Sequence, residues 1–134
     1  MAMRVEVVSP EKVIFSGECT QVATRTLGGG EIAFLEGHAP FLGALATCHT
    51  RISMADGRTV DLAVHGGFVE VGPSGVSLLS DEAELAGDID VARAQAAKER
   101  AEERLRHEHD AEAVAALSRA HARLAAAGGV PSAR

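Results

Sequence analysis

The chain has 134 residues, 46% hydrophobic but only 3% aromatic, with a formal net charge of −6, enough for one domain or a small domain with an extension. A net-acidic chain without a basic patch or stacking aromatics does not fit a nucleic-acid partner. No apolar run nears the roughly 18–20 residues of a membrane span and no charged-then-apolar leader opens the chain, so the expectation is a soluble cytoplasmic protein that meets a membrane only through partners.

From the N-terminus the predicted elements are strands. Residues 4–8 alternate apolar and polar before Ser9-Pro10, residues 12–17 form a second short run, and residues 20–26 alternate up to Gly28-Gly29-Gly30. Residues 31–35 follow, closed by Glu36-Gly37-His38-Ala39-Pro40. Residues 50–54 meet 58–64 across Ala55-Asp56-Gly57, whose Asp-Gly pair is a hairpin signal. The last pair, 67–71 and 75–80, is separated by Gly72-Pro73-Ser74. Short strands spaced by turn residues predict a β-sandwich of eight to ten strands.

Composition shifts near Gly87. All four Phe and 12 of the 14 Gly precede residue 88. So does the net charge: residues 1–87 carry five basic and eleven acidic side chains, residues 88–134 eight of each. The expected organisation is a sandwich over 1–87 and a helical hairpin over 88–134. Asp90 is the first expected N-cap, and Ala94, Ala97, Ala101 and Leu105 follow it in one narrow stripe. Asp110 is the second, ahead of Ala113, Val114, Leu117, Ala120, Leu124 and Ala127; Gly128-Gly129 and Pro131 end the helix. The seam is mostly methyl groups, at about 0.8 kcal/mol per buried carbon, with Val91, Leu105, Val114, Leu117 and Leu124 as the larger contributors. A contact that weak suits a hairpin that opens when a partner offers a better surface. The pattern fits a fixed helical appendage equally well.

Several features resemble chemistry without supplying it. Gly28-Gly29-Gly30 is followed by neither Lys-Ser nor Lys-Thr and opens no helix, so it reads as an inter-strand loop. Cys19, Cys48, His38, His49 and His65 show no metal-ligand spacing, so no metal is expected. The two cysteines make no disulfide framework and read as buried or half-buried thiols. Ser, His and Asp occur without a nucleophile elbow, so no catalytic residues are assigned. Gly66-Gly67 marks a bulge or a close backbone approach.

The order of these segments carries a resemblance. Phe15-Ser16-Gly17, then residues 30–40 (Gly30-Glu31-Ile32-Ala33-Phe34-Leu35-Glu36-Gly37-His38-Ala39-Pro40), then Gly66-Gly67-Phe68-Val69-Glu70-Val71, then Ile89-Asp90-Val91-Ala92-Arg93-Ala94 and residues 116–124 together resemble the ε subunits of bacterial F-type ATP synthases. The resemblance runs over nearly the whole chain. Glu36 stands where the family usually has the proline of Leu-Pro-Gly-His, which implies a less stiff loop.

The resemblance implies a β-sandwich followed by an antiparallel two-helix hairpin, in a non-catalytic central-stalk subunit at the cytoplasmic face of the bacterial plasma membrane. The implied partners are the γ subunit, the ring of c subunits and, through an extended hairpin, the catalytic α and β subunits. By position, Glu31 and His38 match loops that face the rotor ring and the stalk. The extended hairpin obstructs ATP hydrolysis, and in some relatives the folded form binds ATP. The implied ATP-binding set is Glu84, Ile89, Asp90, Arg93, Ala94, Arg100, Arg119 and Arg123. Arginines from two helices suit bidentate grip on phosphates, and they equally suit solvent or acidic neighbours. ATP is thus expected as a regulatory ligand, with no cofactor required. A stand-alone ATP-sensing module is the alternative reading.

Overall fold

A computed structural model describes residues 2–128. Seven strands come first: β1 (Met3–Val8), β2 (Val13–Thr26), β3 (Gly30–Leu35), β4 (Phe41–Met54), β5 (Thr59–Gly72), β6 (Gly75–Leu79) and β7 (Ala83–Leu85). A 3₁₀ turn (Ala86–Asp88) leads into α1 (Val91–His107) and α2 (Ala111–Gly128). Gly129 and Pro131, expected to end the second helix, lie outside the described residues.

The strands form a β-sandwich built from one continuous sheet. Its order is β1-β6-β5-β4-β2-β3, β7 pairs with β5, and an additional β1–β2 pairing closes a ring. All described pairings are antiparallel except β1 with β6, where Val5 lies opposite Val76 and Val7 opposite Leu78. β2 pairs with β1 through its first half and with β3 and β4 through its second. β5 pairs with β4 throughout and with β6 only from Phe68 onward. The long strands therefore pass from one layer to the other.

This accounts for the strand number. The sequence divides 12–17 from 20–26 and 58–64 from 67–71, but each pair is one bent strand of 14 residues. Seven strands do what eight to ten were expected to do. The bend in β5 falls at Gly66 and Gly67, whose φ angles are +80° and +115°. A Cβ on Gly67 would sit 2.1 Å from the Leu79 carbonyl oxygen, so the expected close backbone approach is present. The Asp56-Gly57 hairpin also forms: Arg58 N–H donates to Asp56 Oδ1 at 3.0 Å, and Gly57 has a φ of +94°. Gly28-Gly29-Gly30 connects β2 to β3, as a loop should.

Alternation along the strands places Val5, Val7, Val22, Phe34, Ile52, Leu62, Val69 and Leu78 in one core between the layers. Thr24, Cys48 and Thr50 are buried too, and the Thr24 and Thr50 hydroxyls are 2.8 Å apart. Both cysteines are free and buried.

Both helices begin on the expected caps. Asp90 Oδ1 accepts from Arg93 N–H at 3.0 Å, and Asp110 Oδ1 accepts from Glu112 N–H at 2.8 Å. On α2, Ala113 and Ala120 are buried on one side and Ala122 and Ala126 on the other. At 3.6 residues per turn these pairs face opposite directions. Ala122 and Ala126 pack on Ala63 of β5 and on Ile89, so α2 lies against the sheet and presents its other face to α1. The expected single stripe on α2 is therefore two. Val91 and Val114, expected in the seam, are 51% and 42% exposed. The buried residues of the two helices are all alanines, and these bulkier side chains stay exposed.

Candidate functional site

β7 adds only three residues to the edge of β5, yet it fixes the geometry beneath the hairpin. Ala63 lies opposite Glu84, so Glu84 shares the outer sheet face with Ala63 and His65. His65 Nε2–H donates to Glu84 Oε1 at 2.9 Å. From above, Arg123 of α2 donates through Nε to the same oxygen at 2.6 Å and through Nη2 to Glu82 Oε2 at 3.2 Å. Burial pushes the Glu84 carboxyl up, but hydrogen bonds from His65 and Arg123, with the Arg123 charge, outweigh it and hold it below its ordinary range.

Beside this contact is a cleft of about 330 Å³ lined by Glu82, Glu84, Asp88, Asp90, Arg93, Ala94, Ala97, Arg100 and Arg123. Six of the eight residues expected to bind ATP are thus gathered: Glu84, Asp90, Arg93, Ala94, Arg100 and Arg123. Ile89 lies next to them but is buried against Ala63, Ala122 and Ala126, where it supports the start of α1. Arg119 is elsewhere. It donates to Glu112 Oε1 at 2.7 Å and lines a separate cleft with Thr47, His65 and Ser118. Asp90 commits one carboxylate oxygen, Oδ1, to its cap.

Sequence reasoning missed Glu82, Asp88 and Ala97 in this lining and His65 beneath it. Ala97 and Asp88 flank the recognised Ile89–Ala94 segment and were within reach of helical spacing. His65 and Glu82 meet the cleft only through β7, which is too short to carry an alternation signal.

Glu31 lies within β3 near its start, and His38 lies in the turn that follows its end, where His38 N–H donates to the Leu35 carbonyl at 3.0 Å. Glu31 is exposed opposite Arg25. His38 is half-buried; its Nδ1–H donates to the Ala39 carbonyl at 2.7 Å, and its ring stands edge-on to Phe34 with centroids 4.9 Å apart.

Comparison with known proteins gives this geometry a family. Residues 2–86 match the model of the ATP synthase delta/epsilon chain β-sandwich domain, and residues 88–128 match that of its long α-helix domain. The chain belongs to the ATP synthase delta/epsilon chain family. It is 48% identical over 103 residues to the ATP synthase epsilon chain of Brevibacillus brevis, covering 77% of each chain. It is 44% identical over 124 residues to that of Bordetella avium, covering 92% of this chain and 87% of the relative. The fold is shared with a chain in the cryo-EM structure of the Euglena gracilis mitochondrial ATP synthase, at a TM-score of 0.77 and 22% identity over 87% of this chain and 76% of that one. As a delta/epsilon chain it is a non-catalytic subunit. No described helix is long and apolar enough to cross a membrane.

Proposed function

We propose that this delta/epsilon chain is the central-stalk subunit that couples the rotor ring to the catalytic head of a proton-translocating ATP synthase, and that its hairpin restrains ATP hydrolysis. In this reading the sandwich seats on the γ subunit and the c ring, with Glu31 and His38 at those contacts. The hairpin reaches the α and β subunits when it extends. The complex sits on the cytoplasmic face of the bacterial plasma membrane, as expected for bacterial relatives named ATP synthase epsilon chain. ATP is the regulatory ligand of the folded form.

One observation carries the proposal. α2 rests on the sheet through alanines and the Arg123–Glu84 contact, beside a cleft that brings together arginines from both helices. A phosphate chain there would draw Arg93, Arg100 and Arg123 to one ligand. Because it touches both helices only when they are folded down, it adds differential affinity for that state.

Calorimetry of the purified chain with Mg-ATP tests the ligand. ATP at a hundred times its Kd should stabilise the folded chain by about 2.7 kcal/mol. Arg123→Ala should abolish the effect and Arg119→Ala leave it largely intact. No heat and no stabilisation would remove ATP from the account. Restraint of hydrolysis is tested separately, by deleting residues 88–134 in the assembled complex, which should then hydrolyse ATP faster. A stand-alone ATP sensor would use the same arginines without the sandwich loops, so failure to co-purify with γ and β would favour it.

A further inference from the structure

The His65, Glu82 and Glu84 side chains each offer one ligand atom, and these atoms all lie within 4.8 Å of one another. They come from β5, from the loop before β7 and from β7 itself, so the cluster belongs entirely to the sandwich. Its occupant in the folded state is a cation: the Arg123 guanidinium spans Glu84 and Glu82. When Arg123 leaves, the half-buried Glu84 keeps the His65 donor, and the Glu82 carboxylate loses its Arg123 partner. Two carboxylates so close, one partly desolvated, need a replacement counter-charge.

We infer that this triad is a divalent-cation site that the sandwich presents whenever Arg123 is withdrawn. One imidazole nitrogen and two carboxylate oxygens suit a first-row cation of the zinc type, bound at about 2.0–2.2 Å. The His65 ring is already aimed at the carboxylates through Nε2. Its side chain is only 4% exposed, and Nδ1 is buried without a hydrogen-bond partner. Ligation through Nε2 places the ring proton on the buried Nδ1 and exchanges the His65–Glu84 hydrogen bond for a shared cation. The spacing of the three residues along the chain hides the site, because β5 and β7 bring them together only in the folded sheet.

Metal and Arg123 are mutually exclusive, so bound metal removes a contact that holds α2 on the sheet. This inference does not rest on ATP binding, and its test uses no nucleotide. Cobalt(II), a spectroscopic substitute for zinc, is titrated into the full chain and followed by visible absorption and calorimetry. Arg123→Ala should bind about tenfold tighter than the wild type, because the competing guanidinium is gone. Adding Glu82→Gln or His65→Gln to Arg123→Ala should reverse that gain. Glu82 is exposed, so its variant decides the matter even where the His65 variant disturbs folding. Equal binding by Arg123→Ala and wild type would overturn the inference. So would a gain that survives Glu82→Gln, which would place the metal on surface histidines instead.

Discussion

Arg123 Nε on α2 and Glu84 Oε1 on β7 are 2.6 Å apart across 39 positions of sequence, and this bond ties the last helix to the sheet. The two side chains are only 24% and 27% exposed, so solvent screens the pair partially. Arg123→Ala should weaken hairpin docking by about 1–2 kcal/mol. Hydrogen exchange is the direct measurement: α2 amides should exchange roughly tenfold faster while the core strands keep their protection. Arg119→Ala, which disrupts only a pair with Glu112 on α2 itself, should leave α2 exchange nearly unchanged. Equal effects from both variants would contradict a latch at Glu84.

The same bond sets an acid limit. Glu84 has an ordinary pKa of 4.5 and is held below it when folded, so the unfolded or undocked chain binds the proton more readily. Asp61 behaves alike: burial raises it, but hydrogen bonds from Arg51 and His49, with the Arg51 charge, hold it below its ordinary 3.8. Their stabilisation is fully present above the ordinary values and is lost as pH falls through the folded ones. Melting temperature should stay level from pH 7 to about 5.5 and fall below about 4.5. Glu84→Gln should start lower and fall less steeply.

Gly67 should be intolerant of any side chain. Gly67→Ala places a Cβ 2.1 Å from the Leu79 carbonyl at a φ of +115°, so the β5–β6 contact must open. A loss of about 2 kcal/mol or more is expected by chemical denaturation. Gly72→Ala meets nothing within 4 Å and serves as the matched control, with a change below about 0.5 kcal/mol.

The buried hydroxyls of Thr24 and Thr50 should couple. Thr50→Val leaves Thr24 with only the weaker Cys48 thiol at 3.4 Å, at a cost of about 1–2 kcal/mol. Adding Thr24→Val should recover part of that loss, because no unpaired hydroxyl then remains. Strictly additive losses would show that the two side chains act separately.

Much of this architecture was legible because it rests on local rules. Asp90 and Asp110 are capping residues followed by helix formers, Asp56-Gly57 dictates a hairpin, and Gly66-Gly67 permits the backbone approach that occurs there. Strand number was not, because a 14-residue strand that bends looks like two short ones when its bend carries glycine or polar residues. The two-sided burial of α2 was also hidden: alanine suits either face, so the stripe through Ala113 and Ala120 conceals the one through Ala122 and Ala126. Within the candidate site, Asp90, Arg93, Ala94 and Arg100 could be read directly, while Asp88 and Ala97 beside them were missed. Arg119 could not be separated from Arg123, since helical spacing shows that both are on α2 but not which one meets Glu84. Glu82 and His65 depend on pairing between β5 and β7, a contact that no local pattern encodes.

The parallel alignment of β1 with β6 bears on how the chain is made. The first strand has a partner in β2 almost at once, but its other edge stays open until residues 75–79 have been synthesised. Ring closure therefore comes late in the body and still before α1 and α2 emerge. The helices arrive at a surface already complete without them, and their departure need not unravel it. Synthesis from the N-terminus thus builds the body first and the helical hairpin last.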